Sequence, residues 1–246
     1  MLKKNQILAA VAAVAIALTG SVSATTVYDT TLANGVIFGS GNANNHFAVD
    51  TANNVEIGLR AKVAFAGSIA PDPGTGVYHF AAGQKWNFDW SVNVNVDGLG
   101  SATLDDFTYL MELDGDPGLG TSYFFFDPIN LPYADHALGT NGTIQNPVTG
   151  NKAADPGTYL AALASDNVAQ NSWRYEFFPI PGYDVNLDGE YDVRITAFDG
   201  TGAVASQNIT VIVGAGAPPI PEPATMTLLG LGLAGLGMRF RKRKNA

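Results

Sequence analysis

The 246-residue chain carries a formal charge of −9, spread very unevenly. Seven of its 13 basic residues sit at the two ends, which leaves the middle at about −15 and argues against a nucleic-acid-binding surface. Cysteine is absent, so disulfides, zinc–thiolate sites and a cysteine nucleophile are excluded.

In chain order, the first element is basic at Lys3 and Lys4 and then apolar without interruption from Ile7 to Leu18. Small side chains follow at Val22 and Ala24. That layout predicts a secretory signal peptide over 1–24, cut by signal peptidase after Ala24. The apolar run is short of the ~20 residues a membrane span needs.

The body, residues 25–217, reads as β. From Val55 to Phe65, apolar residues fall at Val55, Ile57, Leu59, Ala61, Val63 and Phe65, with Glu56, Arg60 and Lys62 on the other side. A period of two predicts a strand with one face buried and one in water. A short strand is expected at Val77–Ala81. From Trp86 to Asp97 every even position through 96 is apolar and every odd position polar, giving a second such strand. Phe107, Tyr109, Met111 and Leu113 form a third apolar face, and the connection before it suggests a hairpin with the Trp86 strand. Further strands are expected at Ser122–Phe126, Trp173–Phe178, Tyr191–Phe198 and Asn208–Val213, with one short helix at Thr158–Asp166. The last two strands look like the closing hairpin of many extracellular β modules. The expected fold is all-β, an antiparallel β-sandwich or jelly-roll-like single domain.

Signals for catalysis are sparse. His46, His79 and His136 are scattered outside any metal-binding spacing and are expected at the surface or in turns, and no G-x-S-x-G elbow is present. Asp105–Asp106 and Asp114 with Asp116 could supply paired carboxylates, but acidic residues beside strands more often serve turns. No catalytic residue is assigned, and the chain is expected not to be an enzyme.

The segment Asp184 to Asp192, DVNLDGEYD, offers a candidate calcium loop. Asp184, Asn186, Asp188 and Asp192 would give side-chain oxygens and Glu190 a backbone carbonyl, with Gly189 permitting a sharp turn. Ile195 stands where a bidentate glutamate would complete an EF-hand-type loop, and a strand follows instead of a helix. The alternative is a tight turn in which the same residues serve backbone geometry. Tyr123 to Phe126, Trp173, Tyr175 and Phe177 could stack on sugar rings where exposed, or fill the core.

A linker over 218–223 carries Pro221-Glu222-Pro223; 15 uncharged residues follow over 224–238, then Arg239, Arg241, Lys242, Arg243 and Lys244 in a basic tail over 239–246. As a helix, 224–238 reaches only ~22 Å, a marginal transmembrane span whose basic end stays in the cytoplasm. The prolines stop the helix and keep an extended segment at the membrane surface. Gly230, Gly232 and Gly235 spell a dinucleotide fingerprint, but they lack the preceding strand that motif needs.

The proline–glutamate–proline triplet, the short Gly/Leu-rich segment and the basic cluster, in that order, resemble the PEP-CTERM sorting signal of exported bacterial proteins. The resemblance covers residues 221–246 and does not bear on the fold of the body. It implies recognition by an exosortase, an integral-membrane sorting enzyme, with removal of the tail near the triplet. It also implies an association with biofilm and exopolysaccharide. The leading expectation is therefore an exported, non-catalytic structural protein of the envelope or extracellular matrix. The alternative is a carbohydrate-binding β-sandwich module, with or without calcium.

Overall fold

The computed structural model describes residues 25–39 and 42–217. These form β1 (Thr25–Thr30), β2 (Phe47–Ala52), β3 (Val55–Val63), β4 (Val77–Phe80), β5 (Trp86–Asn93) and β6 (Thr108–Asp114). There follow β7 (Tyr123–Phe126), β8 (Ala137–Gly139), helix α1 (Pro156–Leu163), β9 (Val168–Arg174), β10 (Gly189–Asp199) and β11 (Gly202–Val213). One sheet has the order β1-β2-β3-β5-β9-β8 and the other β4-β11-β10-β6-β7.

The period-two patterns place the core between these sheets. Val55, Ile57, Leu59 and Ala61 on β3 and Trp86, Phe88, Trp90 and Val92 on β5 are fully buried. They share one cluster with Met111 and Leu113 on β6, Val193 and Ile195 on β10, and Ile209 and Val211 on β11. Each of the Val, Leu, Ile, Phe and Met side chains among them contributes about 1.5–3 kcal/mol on burial. β10 and β11 form the expected closing hairpin, with Val193 opposite Ile209.

Several elements depart from expectation. β5 and β6 are not a hairpin, because β3 and β9 occupy both edges of β5 and the chain crosses to the facing sheet. That crossing is held by Val94 N–H to the Asn167 carbonyl and Leu104 N–H to the Asp166 carbonyl, both at 2.9 Å. The second sheet is mixed, since β4 runs parallel to β11. The Trp173–Phe178 strand lies earlier: β9 ends at Arg174 and a 3₁₀ turn takes Tyr175–Phe177. The helix starts two residues early, where the Asp155 carboxylate caps Thr158 N–H at 2.8 Å and Pro156 takes the first turn.

The outer face of the six-stranded sheet is also dry, contrary to expectation. Glu56, Arg60, Lys62, Asp89, Ser91 and Asn93 are all buried. The chain before β2, described at 31–39 and 42–46, lies across this face as a strap. Leu32, Val36, Ile37 and Phe38 form a second apolar cluster there with Phe47, Val49, Ala137 and Val168. Gly58 marks the closest approach, since a Cβ there would stand 2.3 Å from Leu32 Cδ2. Gln170 secures the strap twice, accepting from Ile37 N–H at 2.8 Å and donating to the Gly35 carbonyl at 2.9 Å.

Candidate functional site

Beneath the strap sits an ionic cluster that β3 and β5 place in register, Arg60 opposite Asp89 and Lys62 opposite Asn87. Asp89, at 0% exposure, accepts from Arg60 Nε at 2.8 Å, and the Lys62 ammonium stands 3.1 Å from its other oxygen. Arg60 also donates to the Ala43 and Asn45 carbonyls at 2.7 Å, and Lys62 to Asn42 Oδ1 at 2.6 Å. Glu56 meets the strap at Ala33 N–H, and desolvation raises its pKa above the usual carboxylate value.

The strap covers only part of the face. Beyond Ala43 a groove of 680 Å³ stays open, lined among others by Lys62, Phe65, Ser68, Asn87 and Ser172. Its volume lies within the ~300–1,000 Å³ of small-ligand sites. Asn87 donates to Ser172 Oγ at 3.2 Å, while its Oδ1 has no partner.

Phe65 stands at the rim and corrects the sequence reading. It was expected on the inward face of β3 but is 91% exposed, because β3 ends at Val63 and the chain turns back. Ala66 N–H bonds the Val63 carbonyl at 3.1 Å, and Phe65 takes the third turn position with φ +60°. Turns of this kind normally place glycine or asparagine there. The Arg174 guanidinium lies 4.7 Å from the Phe65 ring centre and 5.2 Å from that of Phe177, itself 71% exposed. Among the described residues, Arg60, Lys62, Lys85, Lys152 and Arg194 each pair with a carboxylate, and Arg174 does not.

The residues singled out in the sequence are placed as follows. Asp184 Oδ1 accepts from Asn186 N–H and Nδ2, both at 2.9 Å. Asp188 lies against Gly214 and leaves no room for a Cβ there. Glu190 N–H bonds the Pro117 carbonyl at 3.1 Å, and Asp192 accepts from the Thr210 hydroxyl at 2.7 Å on the outer face of the second sheet. Among the described residues no three acidic or histidine side chains are grouped as a metal site.

Asp105 and Asp106 both accept from Thr103. Asp114 Oδ1 accepts from Asp116 N–H and Ser122 N–H, and Asp116 from Gly118 N–H. His46 and His79 pair with Asp29 and Asp72 near the surface. His136, expected at the surface or in a turn, lies in the loop before β8 and is fully buried. Its Nε2 bonds the Pro128 carbonyl at 2.6 Å, Asn171 bonds its Nδ1 at 3.0 Å, and Trp90 lies edge-on to it. Desolvation lowers its pKa to about 4, so the ring is neutral. Trp173 and Tyr175 join the core, leaving Phe177 and Phe125 as the exposed members of the aromatic segments named from the sequence.

Ala24, Pro221, Glu222, Pro223 and the basic tail lie outside the described residues, as do the expected signal peptide over 1–24 and the expected helix over 224–238. Among the described residues no helix is long and apolar enough to cross a membrane. Residues 219–243 match the family model of the PEP-CTERM protein-sorting motif. No curated protein matches the chain. The tail thus carries a PEP-CTERM motif, which marks an exported protein recognised by an exosortase-like enzyme and destined for the envelope or exterior.

Proposed function

We propose that the chain is a non-catalytic structural protein of the cell envelope or extracellular matrix, delivered by two terminal signals. The 1–24 signal peptide carries it out of the cytoplasm, the tail halts it in the inner membrane, and an exosortase-like enzyme cuts near Pro221-Glu222-Pro223. The β-sandwich is the cargo, which associates with exopolysaccharide after sorting. The observation that carries this reading is the match of residues 219–243 to the sorting motif. A non-catalytic body is supported by Asp105, Asp106, Asp114 and Asp116, whose carboxylates accept hydrogen bonds within their own turns.

The test is transplantation. Residues 218–246 fused to an unrelated secreted reporter should bring about its cleavage in cells that contain the sorting enzyme and leave it membrane-bound in cells that lack it. A reporter that stays intact and anchored in both would refute the sorting role.

A further inference from the structure

We propose that the open groove beside the strap is a binding site for acidic polysaccharide, with Phe65 at its rim stacking on the sugar ring and Arg174, which stands next to the groove against Phe65, receiving a uronate carboxylate. This rests on the proposed association with exopolysaccharide and concerns the folded body alone, so it is tested apart from the processing of the tail.

The first observation is Phe65. A bulky side chain at φ +60° with its ring 91% exposed is doubly unfavourable, since glycine suits the turn better and the ring gains nothing from burial. Strain of this kind gathers at ligand sites. A flat apolar surface at a groove rim fits the C–H face of a pyranose, which needs an apolar partner without a deep pocket.

The second is Arg174. In a body of about −15, it is the cation left without a carboxylate among the described residues. Its planar fork, placed over Phe65 and Phe177, suits a carboxylate better than a lone hydroxyl. Lys62 lines the groove and no carboxylate is among the described residues that line it, so the groove itself is locally cationic. A neutral glycan would make no use of that charge.

The third is an unmatched pair. Asn87 and Arg174 are register partners, and Asn87 Oδ1 and Arg174 Nε both lack a partner while shielded from water. One acceptor beside one donor matches a sugar hydroxyl, which both donates and accepts. No Asp or Glu is among the described residues that line the groove, so it presents no carboxylate pair. Its chemistry is binding, not hydrolysis.

The experiment titrates full-length protein with oligogalacturonate and with a neutral hexose oligomer of equal length, by calorimetry at low and moderate salt. The acidic oligomer should bind at least about tenfold more tightly, and added salt should narrow the gap. Arg174→Gln should erase the preference, while Lys152→Gln, at an ion pair with Asp135, should keep it. Phe65→Gly should weaken both oligomers about tenfold and melt no lower than wild type, because glycine is at ease in that turn. Equal binding of the two oligomers, no binding of either, or Arg174→Gln behaving as wild type would each overturn the proposal.

Discussion

The folded body and the C-terminal tail work by opposite physics. The body is acidic, and its identity lies in which side chains it takes out of water: two apolar layers, plus an ionic cluster that the strap seals. The tail is uncharged over 224–238 and then strongly basic, and its identity lies in the order of three short segments. A fold depends on contacts between distant residues, whereas an address is read locally by its sorting enzyme. The two should therefore respond to mutation independently.

The largest effect is expected at Asp89. Asp89→Ala would leave Arg60 and Lys62 buried with no counter-charge, costing about 3–5 kcal/mol. Urea unfolding should show that loss. At a temperature where the variant is still folded, cleavage of its tail should proceed as in wild type. Impaired cleavage of a folded variant would break the separation of body from address.

His136 gives the next effect, with a defined pH window. Its folded-state pKa of about 4 lies below the ordinary 6.5, so the native ring stays neutral where the unfolded ring takes up a proton. Asp135 and Asp127 favour the charged ring and Lys152 opposes it, but burial outweighs them. The stability that His136 contributes is intact above pH 6.5 and lost as pH falls toward 4. That loss amounts to about 3 kcal/mol. His136→Gln should flatten this part of the pH profile, and a parallel profile would contradict the burial account.

Gly58→Ala should have a smaller cost, about 1–3 kcal/mol, by pressing a Cβ into Leu32 beneath the strap. Faster hydrogen exchange at Ile37, whose N–H bonds Gln170, would show that the strap loosens before the core. Exchange unchanged at Ile37 but faster in β10 would place the damage elsewhere.

The tail and the inner core were legible for the same reason: each announces itself over a dozen or so consecutive residues. Trp86, Phe88, Trp90 and Val92 needed only a period of two. The outer face misled because that rule gives the second face to water. At Arg60 and Asp89 the water is displaced by a strap with no strand period, pinned by Gln170 from more than 130 residues away. Gly58, between β-formers, was the one local hint of a close approach. Phe65 continued the apolar alternation by two residues, yet the turn it sits in has no glycine to signal it. No local motif marks His136 as buried, because its partners Pro128 and Asn171 come from other parts of the chain. The groove inherits both difficulties, being assembled from the strap, β3, β5, β9 and the turn after β3.

The central claim is that the chain is a folded cargo bearing a removable address. Its most direct test is the intact mass of the protein recovered from the envelope and medium of cells containing the sorting enzyme. The account predicts an N-terminus at Thr25 and a C-terminus near residue 220, with the tail retained only when that enzyme is deleted. A mature chain that still ends at Ala246 in cells with an active enzyme would contradict it.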